Sequence, residues 1–166
     1  SATGLVLRNA LIDSSIPLNL NIPAHLRAEG DPGSYVVQSR GPVTDAFRSA
    51  LQQAGAEIVA YVPNNAYLVR ASEGAVRQIG ALPQAQAVLP WEPYYKIDPA
   101  LLESAVKQSP LPSNTRVNLL LFPGERDAVM QALSKMEAVV LGEERSPFGW
   151  QLMVRPPEDA LVSLAR

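Results

Sequence analysis

The spacing of apolar positions changes several times along this chain, and each change marks an element. Ser34–Ser39 (SYVVQS) is dense in β-branched and aromatic residues and predicts a strand. From Val43 to Ala54, apolar residues recur at Val43, Phe47, Ala50, Leu51 and Ala54, the spacing of one helix face. Thr44 is placed to cap the start of that helix and Gly55 to stop it. Glu57–Tyr61 and Ala66–Arg70 predict two strands joined through Pro63-Asn64-Asn65, because proline presets φ and asparagine tolerates left-handed backbone. Ser72 caps a second helix reaching about Leu82, and Ala85–Trp91 predicts a closing strand. The order βαββαβ predicts an antiparallel sheet with two helices on one face.

The cycle then begins again. Arg116–Phe122 predicts a strand, Glu125–Met136 a helix, Ala138–Leu141 and Gly149–Val154 a hairpin, and Pro157–Leu164 a second helix with Pro156 and Pro157 near its first turn. Both first helices carry D-A-x-x-x-A-L (from Asp45 and from Asp127), and both second helices follow V-R-x-x-E-x-A (from Val69 and from Val154). Two matches in the same order predict a tandem repeat, the second hairpin loop (GEERSPFG) being longer than the first. The second cycle reaches Arg166 without a fourth strand, which predicts a longer parent chain, since an open sheet edge is a liability. The predicted organisation is an extended N-terminal arm over 1–33, a first domain over 34–98, a linker over 99–114 and a truncated second domain over 115–166. The arm is interrupted at Pro17, Pro23 and Pro32, has one helical turn at Ala24–Arg27, and offers Leu5, Leu7, Leu11 and Ile16 as apolar anchors. In the linker, Leu101 and Leu102 could dock.

Composition narrows the function classes. Hydrophobic residues are 47% and charged residues 18% of the 166, enough apolar material for a core. A net charge of −2 without a basic run gives no footprint for nucleic acid. No apolar run is long enough to span a bilayer. With no cysteine, disulfides, thiolate metal sites and a cysteine nucleophile are excluded. His25 is the one histidine, lying in the arm, and nothing in the spacing builds a Ser-His-Asp triad around it. Glu143-Glu144-Arg145 reads as a solvated loop, and no phosphate-binding or zinc motif is present, so no catalytic residue, cofactor or metal is expected.

The strands are more informative. Tyr35-Val36-Val37, Ile58-Val59-Ala60, Tyr67-Leu68-Val69 and Leu119-Leu120-Leu121-Phe122 are apolar on both sides, so both faces of each sheet need cover. Two helices cover one face; the arm, the sister domain or a partner must cover the other. For the second domain this points to an external partner, with Leu119, Leu121, Trp150 and Leu152 as candidate interface residues. Trp91, Tyr94 and Tyr95, in LPWEPYY, are a further interface candidate or else a seam that holds the linker down.

The run SYVVQSRGPVTDAFRSALQQAGAEIVAYVPNNAYLVR, with AVLPWEPYYKI after its second helix, resembles the N-terminal propeptide of bacterial subtilisin-like serine proteases. RVNLLLFPGERDAVMQALSKM and FGWQLMVRPPEDALVSLAR resemble a second, diverged copy as found in double-propeptide members. The resemblance implies tandem ferredoxin-like βαββαβ domains, the second lacking its last strand. It implies an intramolecular chaperone and inhibitor whose sheet docks on the catalytic domain of the same polypeptide, in a secreted or cell-envelope protein. The protease's own motifs are absent from this chain, so the chain itself is expected not to be an enzyme. The alternative is a stand-alone interaction module of paired domains that dimerises or takes up a peptide by strand addition. A small-molecule sensor on the same fold would want glycine-rich loops at the domain junction, and there are none.

Overall fold

The computed structural model describes residues 2–8, 10–16, 20–147 and 149–166. The expected break at Pro17 and the Phe148 of the second hairpin lie outside the described residues. The fold is α+β with antiparallel sheets. Two compact units divide the chain, Ser1–Ala100 and Leu101–Arg166. The stretch read as an arm thus belongs to the first unit, and most of the stretch read as a linker to the second.

In the first unit, two short strands, β1 (Gly4–Val6) and β2 (Leu11–Asp13), pair antiparallel with Leu5 opposite Ile12. A 3-10 turn at Ala24–Leu26 follows. The main cycle is β3 (Ser34–Ser39), α1 (Asp45–Gln53), β4 (Glu57–Val62), β5 (Ala66–Arg70), α2 (Glu73–Gly80) and β6 (Ala85–Pro90). Its strand order is β4-β5-β3-β6, all neighbours antiparallel, which is the split βαββαβ sheet that the element order predicts. The caps form as the sequence requires. Thr44 Oγ1 accepts from the Phe47 N–H at 3.1 Å and Ser72 Oγ from the Ala75 N–H at 3.2 Å. Asn64 and Asn65 take φ of 73° and 63°, so the hairpin turns through left-handed backbone. Tyr35, Val37, Tyr67 and Val69 point to the helices and form one core with Phe47, Leu51, Ala75 and Ile79.

After β6 come a short helix, α3 (Pro93–Lys96), and α4 (Pro99–Lys107), which spans the boundary between the units. The expected polar linker is therefore helical over much of its length, and Ala105 is buried. The second unit continues with β7 (Val117–Leu120), α5 (Arg126–Lys135), β8 (Val139–Ser146), β9 (Gly149–Arg155) and α6 (Leu161–Ala165). Its sheet runs β7-β9-β8, the order in which β3, β5 and β4 lie side by side in the first unit.

The likeness extends to an irregularity. In β4 the register shifts between Ile58 and Ala60; in β8 it shifts between Val140 and Gly142. With Val69 matched to Val154, the bulged residues Val59 and Leu141 fall at the same place. A bulge is a specific local geometry, so its recurrence is stronger evidence of repetition than strand order alone.

Two expectations about the second cycle need correction. Glu143, Glu144 and Arg145 are not in a loop: β8 continues through them to Ser146. The last helix starts at Leu161, four residues later than expected. The cause is local. The position of the capping Ser72 is held by Pro157, which has neither a cap side chain nor an N–H, and Leu111 N–H instead donates to the Glu158 carbonyl at 2.8 Å.

A further contrast sits at the helix ends. Gly55 after α1 has φ of +91°, and its counterpart after α5 is Glu137 at φ of 60°. A Cβ at Gly55 would meet only the Ala75 Cβ, at 3.9 Å, so the cost there is backbone strain alone. Gly55→Ala is expected to destabilise the first unit, and Glu137→Gly to stabilise the second, each by about 1 kcal/mol. Urea unfolding of both variants checks this; equal midpoints for variant and parent would contradict it.

Candidate docking surfaces

β3 is buried along its whole length, and its alternation shows why. The odd residues face the helices. The even residues, Ser34, Val36 and Gln38, face the other way, with Ala66 and Leu68 beside them on β5. That outer face is also buried: Val36 is 2% exposed and Gln38 0%. The cover is the chain's own arm. Gly4 O accepts from Gln38 Nε2 at 3.4 Å and from Asn64 Nδ2, and Ser14 Oγ donates to Gln38 Oε1. Gln38 Nε2 also donates to Asn64 O at 3.0 Å. A buried amide is tolerated only when so partnered, and here its partners come from both the arm and the hairpin turn.

The arm's anchors differ from those the composition suggests. Leu5 is fully buried, but Leu11 is 72% and Ile16 61% exposed. The β1–β2 register is the reason. Leu5 lies opposite Ile12, so these two share the inward face while Leu11 points away. Among the described residues of the arm, Ile22 and Leu26 are also buried. The far end of the arm is pinned at Asp31, which accepts from Tyr35 Oη at 2.8 Å and from Gly33 N–H at 2.9 Å. The Gly33 bond, then the Tyr35 bond, hold the Asp31 carboxyl below its ordinary range. Burial, reinforced by the bond to Asp31, pushes the Tyr35 hydroxyl up to about 12.

Trp91, Tyr94 and Tyr95 form a seam inside the first unit. Tyr95 is buried, packed 5.4 Å from the Trp91 ring and edge-on to Tyr94 at 6.2 Å. Burial raises its hydroxyl to about 12. Between Trp91 and Tyr94, the Glu92 carboxylate accepts the Ala28 N–H, which fastens the arm to this seam.

The second sheet is different. Its odd β7 residues and their β9 partners, Val117 with Val154 and Leu119 with Leu152, face the helices; Leu121, Leu152 and Val154 are buried. Leu121 and Leu152 are therefore core, not surface, and Leu119 shares their face. Trp150 also lies on the helix side, with the Arg126 and Arg145 guanidinium groups each 5.8 Å from its ring centre. The outer face carries side chains that the sequence reading did not single out. Leu120 is 56% exposed, Val139 46% and Met153 40%, and bulged Leu141 is exposed beside them. Four of the largest exposed apolar side chains thus sit on one sheet.

Charged groups form structural clamps. Arg126 grips Glu143 in a two-pronged pair, Nε to Oε1 at 2.8 Å and Nη2 to Oε2 at 2.7 Å, and also meets Asp127 at 3.0 Å. The Arg126 bonds lower the Glu143 pKa and raise that of Arg126. Among the described residues, no three His, Asp or Glu side chains gather as a metal site. No helix among them is long and apolar enough to cross a membrane.

Residues 6–92 match the family model of a domain of unknown function, DUF8729, and the chain belongs to that family. The matched span begins at the last residue of β1 and takes in most of the arm together with the sheet it covers, through β6. No curated protein and no solved structure matches the chain.

Two outcomes follow from these contacts. Gln38→Leu is expected to cost about 1–3 kcal/mol, by taking one hydrogen bond each from the Gly4 and Asn64 carbonyls and from Ser14 Oγ, while Gly4 O keeps Asn64 Nδ2 and Ser14 Oγ keeps Thr3 O. It should also speed amide exchange in β1 and β2, read by mass spectrometry; unchanged exchange there would contradict the arm's attachment. For Glu143 the folded pKa is depressed, so its contribution is complete above the ordinary carboxylate range and fades as pH falls through the lowered value. Between about pH 5 and pH 3, the parent should lose more stability than Glu143→Gln. Parallel melting curves over that range would contradict it.

Proposed function

We propose that this DUF8729 member is a non-catalytic docking partner of a subtilisin-like protease domain, acting as propeptide-type chaperone and inhibitor in a secreted or cell-envelope protein. One contrast carries the proposal. The outer face of the first sheet is covered by the arm along β3 and β5, whereas the equivalent face of the second presents Leu120, Val139, Leu141 and Met153 to solvent. The second unit is thus the one with a surface to offer. Resemblance of both cycles to double propeptides supplies the identity of the partner. Docking would cover those side chains.

The coding sequence flanking this chain is the first check, for a Ser-His-Asp protease domain encoded with it. The purified chain is then added during refolding of that domain. Recovered proteolytic activity is expected to rise, and the chain to inhibit the refolded enzyme. Leu120→Asp with Met153→Asp should weaken that inhibition at least about tenfold, since burying one such side chain is worth roughly 1.5–3 kcal/mol. The circular dichroism of the variant should be unchanged, because both side chains are exposed. Refolding that is indifferent to the chain, or undiminished inhibition by the double variant, would contradict the proposal.

A further inference from the structure

We infer that the β1–β2 hairpin is an autoinhibitory strap. It lifts off the outer face of the first sheet as a unit while the βαββαβ cycle stays folded, and so uncovers an apolar surface that the closed chain withholds. This holds whether or not a protease is the partner.

The sheet does not depend on the hairpin for its backbone bonds. β1 and β2 form a sheet of their own, and β4-β5-β3-β6 is a separate one. The hairpin's bonds are largely internal: Leu7 N–H donates to Ala10 O at 2.8 Å, and Ser14 N–H to Thr3 O at 2.9 Å. Asp13 holds the turn after β2, accepting from Ser15 N–H at 3.0 Å and from Ser15 Oγ at 2.6 Å. The members of the helix-side core, from Tyr35 to Ile79, all come from the βαββαβ cycle. Lifting the hairpin therefore breaks no ladder of the main sheet and opens no gap in that core.

Side chains make the attachment. Leu5 and Ile12 are buried on the inward side of the hairpin, whereas Leu11 and Ile16 point to solvent. The polar ties run from Gly4 and Ser14 to Gln38, and from Gly4 to Asn64. Arg8 also pairs with Asp98 at 3.1 Å, but both side chains are open to water, where such a pair is worth little. Further along the arm, Ala28 N–H is held by Glu92 and Asp31 by Tyr35. These bonds lie outside the hairpin, so an opened hairpin stays tethered beside its face and recloses at high effective concentration.

The face beneath tolerates exposure. Gln38 sits within it, and a buried amide costs stability unless it is partnered. On opening, water replaces Gly4 and Ser14 as its partners. Around it, Val62, Ala66 and Leu68 lie on the same side of the sheet and are buried in the closed chain. Opening thus trades a covered amide for an accessible aliphatic patch with a polar group inside it.

Two measurements on the full chain test this. In the parent, amide exchange by NMR is expected to show Leu7 and Ser14 protected, but at least about a hundredfold less than the amides of β3 and β5. The chain has no cysteine, so a single introduced thiol reports alone. Ala66→Cys places it opposite Gln38, beneath the hairpin. Its labelling should be slowed by the same factor as Leu7 and Ser14 exchange in that variant, within about threefold. Val69→Cys, on the same strand but facing the helices, should label at least about a hundredfold more slowly. Three results would overturn the inference. They are hairpin amides as protected as those of β3 and β5, hairpin amides with no protection, and fast hairpin exchange with Ala66→Cys labelled as slowly as Val69→Cys, which is fraying in place.

Discussion

Strands that are apolar on both faces dominate this molecule, because such a strand must be covered twice. Burying a side chain such as Val or Leu is worth roughly 1.5–3 kcal/mol, and a sheet exposing several loses that driving force along its whole face. In the first unit the debt is met on one side by α1 and α2 and on the other by the arm. Burial alone would leave the arm free to slide. Gln38 prevents this, since a fully buried amide has to find its partners at fixed places, and those places are Gly4, Ser14 and Asn64. Leu5 and Ile12 supply the area, and the amide supplies the register.

The second unit repeats the helix side of this arrangement, down to the bulge in its second strand, but not the outer cover. Its outer face is a compromise. Asn118, Gln151, Glu144 and Arg155 alternate with Leu120, Met153 and Val139, so the sheet tolerates water while keeping an apolar patch. A wholly apolar face would demand permanent cover, and a wholly polar one would offer a partner little. The mixture suits a surface that docks and releases, as the proposed role requires.

Much of this was legible in the sequence, and what was not has identifiable causes. The caps Thr44 and Ser72, the Asn64-Asn65 turn and the βαββαβ order rest on local backbone chemistry, which single residues reveal. The need for cover on both sides of SYVVQS was also readable. The phase of Leu119–Phe122 was not, because four apolar residues in a row carry no alternation; only pairing with β9 decides that Leu119 and Leu121 turn inward and Leu120 outward. The arm fails for a similar reason, since Leu11 and Ile12 are interchangeable by composition and only the register with Leu5 separates them. The late start of α6 was signalled, in retrospect, by proline standing where the first cycle has its capping serine.

One sheet is covered along β3 and β5 by its own chain while its counterpart keeps an open outer face. Hydroxyl-radical footprinting of the isolated, monomeric chain tests it directly, because oxidation reports side-chain exposure. Leu120 and Met153 are expected to be modified readily, and Leu5, Ile12 and Leu68 to be protected. Protection of Leu120 and Met153, or modification of Leu68 as ready as theirs, would contradict it.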